Sequence, residues 1–468
     1  MFFVDTVESE GIGNRSYLAG GPESAVVVDP QRDIDRVLAV AARRGVRIAR
    51  VVETHVHNDY VSGGPELARV TGARHLLPDG AEVSFPRDAV ADDDTVPVDE
   101  RLLLRALATP GHTPHHTSYV LEEDGRAVAA FTGGSLLIGT VGRPDLVAPR
   151  LTEGLARAQH ASAHRLAGAL GDDVSVHPTH GFGSFCSSAQ VDRDSTTVGE
   201  ERASNDALVK DADTFVADLI AGLDDIPAHY AHLGPVNAAG AAPVDLTPPR
   251  HADAGEIARR LAEGEWVVDL RDRVAYAEGH VAGSFNFEAD GKLATYLAWL
   301  VPRGKPVTLL AESAGQLAAA QRELVRVGID RPASAATGSP RSWLRDGELP
   351  RSFPRAAFAE LGPPPEDGAA HGGGPADAGV VLLDVRRDSE RAAGRIDGSV
   401  HIPVHELHDR IGEVPPGQVW VHCAGCLRSA IAASLLDAAD RSVVAVDDGV
   451  DAAERAGLAV VRPGDGSA

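Results

Sequence analysis

Two histidines one residue apart, His55 and His57, follow an apolar β-branched run at 48–52 and precede a carboxylate, Asp59. The run reads as a buried strand. Alternate residues of an extended segment point the same way, so the two imidazoles can converge on one ion. Neutral imidazole suits zinc, iron and copper, and a nearby carboxylate adds charge and a supporting hydrogen bond. A second reactive group stands near the other end of the chain. Cys423 follows the apolar run 419–421 and opens Cys423-Ala424-Gly425-Cys426-Leu427-Arg428, ahead of a helix predicted over 430–436. A thiol there sits among the N–H groups of a tight loop and a helix start, which stabilise a thiolate. Arg428 is placed to balance an anionic donor.

Up to about residue 165, short β-branched strands alternate with turns and a few helices. A strand at 25–28 ends in Asp29-Pro30, and apolar residues at helical spacing over 34–44 stop at Gly45. Three further strand ends carry polar loops. They lie at 107–117 (His112, His115, His116), at 127–139 (Gly133, Gly134) and at 174–184 (His177, His180). Four strand ends bearing Gly with polar or His residues suit a metal site at one edge of a β-sandwich. From 251 the chain repeats itself. Gly264-Glu265-Trp266-Val267-Val268-Asp269-Leu270-Arg271 returns as Gly379-Val380-Val381-Leu382-Leu383-Asp384-Val385-Arg386, and 277–286 parallels 393–401. A spacing of about 115 residues is too long for a solenoid unit and reads as two homologous domains. Gly- and Pro-rich stretches at 362–366 and 372–375 read as a linker between them. The first copy has no cysteine at 311–315 and carries Glu312 there, which predicts a scaffold.

The length of 468 residues suits about three domains. A hydrophobic fraction of 43% and a charged fraction of 24% are ordinary for a globular protein. The net charge of −24 argues against nucleic-acid or anionic-membrane binding. No run is long enough for a membrane helix, and the first residues lack the basic region of a signal peptide. Three cysteines cannot form a disulfide framework and suit a reducing cytoplasm.

The ordered series Thr54-His55-Val56-His57-Asn58-Asp59, Pro110-Gly111-His112-Thr113, Phe131-Thr132-Gly133 and Pro178-Thr179-His180-Gly181 resembles the metallo-β-lactamase fold over roughly 1–240. Within it, the mononuclear-iron persulfide dioxygenases look closest and glyoxalase II more distant. Both later repeats resemble rhodanese domains. The resemblance implies an α/β protein: an N-terminal αββα sandwich (1–245), a rhodanese-like domain without the catalytic cysteine (251–360), and a rhodanese domain carrying Cys423 (379–464). Residues 201–245 look like the tail that joins the first domain to the others.

The resemblance also implies a ligand set and its departures. One Fe(II) per chain is expected, with zinc as the alternative. His55 and His112 match the two histidines of a two-His, one-Asp site, but Gly134 stands where the aspartate belongs. His57 is therefore expected as the third ligand, with Asp59 and His180 as supporting groups. Cys186 is expected either to face the same cleft, where it could carry a persulfide, or to be a small buried apolar group. Tyr60 replaces a histidine used to bind a second ion, which disfavours dinuclear hydrolysis. Asp145 matches a structural position. In the last domain Cys423 is implied as the sulfur-accepting nucleophile, cradled by Ala424, Gly425, Cys426, Leu427 and Arg428. Cys426 replaces a usual glycine, which predicts backbone strain and creates Cys-x-x-Cys. The expected activity is oxidation of a low-molecular-weight persulfide by O2 to sulfite and thiol, with sulfane sulfur then passing through Cys423 to thiosulfate or sulfite chemistry. The alternatives are a sulfurtransferase or sulfur carrier whose first domain is non-catalytic, and a metal-dependent thioester hydrolase. A cytoplasmic homo-oligomer is expected, since fused relatives associate.

Overall fold

A computed structural model describes residues 2–361 and 379–463; the glycine- and proline-rich linker expected at 362–366 and 372–375 lies outside them. The chain divides into two compact units. One comprises Met1–Asp245 with Arg322–Asp330, the other Leu246–Gln321 with Arg331–Ala468. Among the described residues no helix is long and apolar enough to cross a membrane.

The first unit is an αββα sandwich. Its six-stranded sheet runs in the order Phe3–Ser9, Asn14–Gly20, Ser24–Val28, Arg47–Val52, Arg74–Pro78, Asp88–Val90. The first two pairings are antiparallel and the rest parallel. The five-stranded sheet runs Ser175–Pro178, Arg126–Gly133, Thr117–Glu123, Leu102–Ala108, Thr95–Asp99. Side-chain alternation divides each strand between two cores. Val26 and Val28 meet Leu104, Tyr119, Ala129 and Phe131 between the sheets. Ala25 and Val27 instead face helices Asp35–Arg44 and Gly64–Thr71. On the far side Leu107, Val120 and Ala130 pack with helices Thr152–Ala169 and Ala212–Ala221. Strands covered on both faces read as continuous apolar runs, as the sequence shows at 25–28 and 48–52.

The second unit holds two parallel sheets of like build. One runs Phe285–Asn286, Trp266–Asp269, Val307–Ala311, Ser334–Thr337. The other runs Arg355–Ala356, Val443–Val446, Gln418–His422, Val380–Asp384, Val400–His401. The repeated acid–arginine pair has one structural role in both copies. Arg271 pairs with Asp269 at 2.6 Å and donates to the Gly279 carbonyl at 2.8 Å. Arg386 pairs with Asp384 at 2.6 Å and donates to the Gly394 carbonyl at 2.7 Å. Each arginine thus ties a strand end to the end of the following helix. The helix after Cys423 spans Leu427–Ala438, three residues earlier than the apolar spacing suggested, because the loop turns at Cys426.

Phe131 is fully buried between the sheets, 5.4 Å from Tyr17 centroid to centroid. Phe131→Ala should cost about 3–5 kcal/mol. Urea unfolding followed by far-UV circular dichroism would register this as a lower midpoint. Tryptophan fluorescence supplies a separate probe, because Trp266, Trp299, Trp343 and Trp420 all lie in the second unit. An unchanged dichroism midpoint would contradict the assigned core.

Candidate metal centre and sulfur-transfer loop

Strand Arg47–Val52 delivers Thr54, His55 and His57 into a loop whose backbone is held from several sides. Asp29, at the end of strand Ser24–Val28 with a φ of 50°, accepts from the Thr54 amide and hydroxyl, both at 2.7 Å. The Thr179 hydroxyl donates to the same carboxylate. Burial alone would raise the Asp29 pKa, but His57 and these donors hold it below the usual carboxylate value. Asn237, on helix Tyr230–Ala239, donates to the His57 and Tyr60 carbonyls, both at 2.7 Å.

Proton accounting fixes which nitrogen each imidazole presents. The Thr54 hydroxyl hydrogen goes to Asp29, so at 2.9 Å it accepts from Nδ1–H of His55. His112 Nδ1 lies 2.8 Å from the Arg143 carbonyl, which can only accept. His180 Nδ1 lies 3.1 Å from the Asp59 carboxylate, which also receives Asn14 Nδ2 at 2.7 Å. All three rings therefore keep Nδ1–H outward and turn the Nε2 lone pair inward. His180 Nε2 is buried without a partner. Ligand atoms of His55, His112 and His180 lie within 4.8 Å of one another. Burial, with neighbouring imidazoles second, pushes the His55 and His112 pKa values well below 6.5. Neutral, buried, convergent imidazoles fit a transition-metal ion.

This grouping differs from the expected His55, His57 and His112. His57 lies outside that trio and groups instead with Asp59 and His180. Its Nε2 stands 3.2 Å from Asp29, and Tyr60 stacks on its ring at 4.4 Å. Asp29's charge raises the His57 pKa against the effect of burial. His180, expected as a supporting group, takes the place in the trio, and Asp59 stands behind it. The Asp29 carboxylate holds His57 Nε2, and Gly134 brings no carboxylate to the trio. A Cβ at 134 would lie 2.2 Å from His112 Cδ2, so the His112 ring fills the room a side chain would need.

The neighbouring residues hold this arrangement. His116 Nε2 accepts from the Gly134 amide at 3.0 Å and its Nδ1 reaches Thr109 at 2.9 Å, so both nitrogens are spent. His115 is exposed. Arg143 forks onto Asp145 at 2.7 and 2.8 Å. Cys186 is buried beside Tyr230 and Asp59; burial, then Asp59, pushes its thiol pKa well up. Asn14, Asp29 and Asn237 had no sequence signal beyond the strand-ending Asp29-Pro30.

Cys423 ends strand Gln418–His422 and is 1% exposed. The Ser429 amide donates to its Sγ at 3.4 Å. Cys426 caps the following helix at φ 68°, the left-handed conformation that suits glycine. Arg428 is not free to face a donor, as the sequence suggested. It is clamped by both oxygens of Glu390, the longer contact at 2.8 Å. Burial opposes ionisation of Glu390, yet Arg428 holds its pKa down to about 2. Arg387 reaches the same carboxylate at 3.2 Å.

Strand register aligns the two repeats. Asp384 pairs with His422, and Asp269 with Leu310. Ala311, Gln316 and Ala275 of the first repeat thus stand where Cys423, Arg428 and Glu390 stand in the second. The first repeat lacks the nucleophile, the arginine and the arginine's partner together.

Residues 11–180 match the family model of the metallo-beta-lactamase superfamily, and 253–346 and 373–456 match that of the rhodanese-like domain. The human mitochondrial persulfide dioxygenase ETHE1 is 30% identical over 207 residues, covering 43% of this chain and 74% of the relative. The hydroxyacylglutathione hydrolase of Chromohalobacter salexigens is 32% identical over 160 residues, covering 34% of this chain and 58% of the relative. A metallo-beta-lactamase crystal structure from Staphylococcus aureus superposes with a TM-score of 0.65 at 25% identity, covering 72% of this chain and 99% of that one. A metallo-beta-lactamase domain followed by two rhodanese-like domains, with this degree of identity to persulfide dioxygenases, places the chain in the persulfide dioxygenase family, to which it belongs as a fusion with rhodanese modules.

Proposed function

We propose that the protein oxidises a low-molecular-weight persulfide with O2 at one ferrous ion, and that its last domain carries sulfane sulfur on Cys423. The observation that carries the first half is the convergence of three Nε2 lone pairs, from His55, His112 and His180, each ring anchored at Nδ1. A ferrous ion held there would supply the one-electron chemistry through which O2 can attack a sulfur anion. The chain's own residues orient and insulate that chemistry. Thr54, the Arg143 carbonyl and Asp59 fix the three ring planes. Asp59, one hydrogen bond behind His180, and Asp29, two behind His55 through Thr54, would offset the charge of a divalent cation. A small cleft borders His180 and is lined by Leu137, Ile138, Phe182 and Arg193, the last paired with Glu201 at 3.1 Å. Thioester hydrolysis, the alternative activity, is disfavoured, although hydroxyacylglutathione hydrolases are among the relatives. Gly134 provides no carboxylate to bridge two ions, and Tyr60 gives its hydroxyl to the Asp29 carbonyl at 3.2 Å.

Sulfur transfer rests on Cys423 at a strand end, with the Ser429 amide on its sulfur and a helix start behind it. Cys426 sits at the helix cap with its side chain partly exposed.

Metal content, measured by plasma mass spectrometry on protein purified without added metal, tests the ligand set. We expect one transition-metal ion per chain, iron preferred, with loss of the ion in His55→Ala, His112→Ala and His180→Ala. Asp59→Asn should weaken metal affinity about 10- to 100-fold. Retention of metal by His180→Ala together with its loss in His57→Ala would restore His57 as the third ligand. Glutathione persulfide should drive O2 uptake by the iron-loaded protein; thioester hydrolysis without O2 uptake would overturn the dioxygenase reading.

Intact mass after incubation with a persulfide donor tests the second half. Wild type and Cys426→Ser should each gain about 32 Da, one sulfur atom, and Cys423→Ser should not. An adduct that persists in Cys423→Ser and vanishes in Cys426→Ser would move the carrier to Cys426.

A further inference from the structure

Within the second unit the cysteine-free repeat packs on helix Leu427–Ala438, the helix that leads away from the Cys423 loop. The Asn286 amide donates to Ser434 Oγ at 3.0 Å. Three residues further along the helix, Asp437 meets His280 of the first repeat. This contact is dry: His280 is fully buried and Asp437 is 3% exposed.

Both ring nitrogens of His280 face acceptors. Nδ1 lies 2.9 Å from the Tyr276 carbonyl, which can only accept, so Nδ1 carries a hydrogen. Nε2 lies 3.0 Å from Asp437 Oδ2. A neutral ring with its hydrogen on Nδ1 would aim a lone pair at a carboxylate there. A bond at that distance needs a second proton, one more than a neutral imidazole beside a carboxylate contains.

The surrounding charges agree. His280 and Arg351 exchange backbone hydrogen bonds, both at 2.9 Å. Arg351 Nε meets Asp437 Oδ1 at 2.9 Å, and its Nη1 meets Asp440 at 2.6 Å. Two carboxylates thus share one guanidinium, and a protonated His280 makes the count even. Asp437 also stands in the last turn of its helix, where the dipole disfavours an acid and favours cations. The other neighbours add no charge. Tyr276 stacks on the ring at 4.1 Å, and burial pushes its phenol pKa well up. Phe353 lies at 5.6 Å. Arg271, which donates to the adjacent Gly279 carbonyl, is paired with Asp269. The matching position of the second repeat holds Arg395, which is exposed.

We infer that His280 is a buried imidazolium whose ion pair with Asp437 latches the cysteine-free repeat to the far end of the Cys423 helix, and that the latch releases as the pH rises. In the unfolded chain a histidine is mostly neutral above about pH 6.5. Folding above that pH therefore takes up a proton at His280. The contribution of the latch is complete at lower pH and is lost as the pH rises. The first repeat, without a nucleophile, thereby acts as a pH-dependent brace on the helix that leads from the Cys423 loop.

Urea unfolding of the full-length protein, followed by tryptophan fluorescence, reads the second unit, where all four tryptophans lie. The informative window is about pH 7 to 8, where an unfolded histidine is mostly neutral and an unfolded cysteine still mostly protonated. His422, which burial holds neutral with a pKa of about 4, does not titrate there. Across this window the wild-type unfolding constant should rise by up to about tenfold, the effect of one proton per pH unit. His280→Gln keeps a donor of similar reach but cannot titrate, and Asp437→Asn keeps the shape and removes the charge. Either variant should flatten the profile, and either suffices if the other does not fold. A flat wild-type profile would overturn the proposal, and so would a rise in the variants equal to that of wild type.

Discussion

An imidazole can present only one ring nitrogen to an ion, and which one depends on what the other is bonded to. In the first unit this constraint is met three times by three different acceptors: a threonine hydroxyl, a backbone carbonyl and a carboxylate. Much of the surrounding fold serves those acceptors. Thr54 can accept from His55 only because Asp29 takes its hydrogen, and Asp29 can stay ionised in a dry interior only because Thr54, Thr179 and His57 surround it. The carbonyl that holds His112 belongs to Arg143, whose side chain is itself locked on Asp145. Buried polar networks of this kind are rigid when every member is satisfied and costly when one is not.

The second unit poses a different problem, that of surrounding a buried thiol with polar groups. Cys423 is nearly as inaccessible as a core side chain. Its surroundings are polar on the helix side, through the Ser429 amide, and charge-balanced through the Glu390 clamp on Arg428. The clamp turns Arg428 into part of the wall rather than a mobile cation.

Much of this was legible in the sequence. The four strand ends, the order of the motifs, the duplication beginning near 251 and the helix that stops at Gly45 could be read because each depends on local patterns. The strain at Cys426 was also legible, since a residue in glycine's place carries its penalty wherever the fold puts it. What could not be read were choices made in three dimensions. His57 is nearest to His55 in sequence, yet a hydrogen bond to Asp59, 121 positions before His180, turns His180 toward the trio. Arg428 looked available because its partner, Glu390, lies 38 residues away on another element. Gly134 announced a missing carboxylate but not that the His112 ring stands where a side chain at 134 would go.

The first repeat's loop has a consequence for how the duplication can change. Ala311, Gln316 and Ala275 occupy the places of Cys423, Arg428 and Glu390, and Gln316 Nε2 is spent on the Leu270 carbonyl at 3.0 Å. A cysteine restored at 311 would meet no arginine, and an arginine restored at 316 would be a cation without its carboxylate. No single substitution therefore gives the first repeat the surroundings that Cys423 has in the second. The two copies differ at three interdependent positions, so a change at any one of them leaves a thiol or a charge without its neighbours.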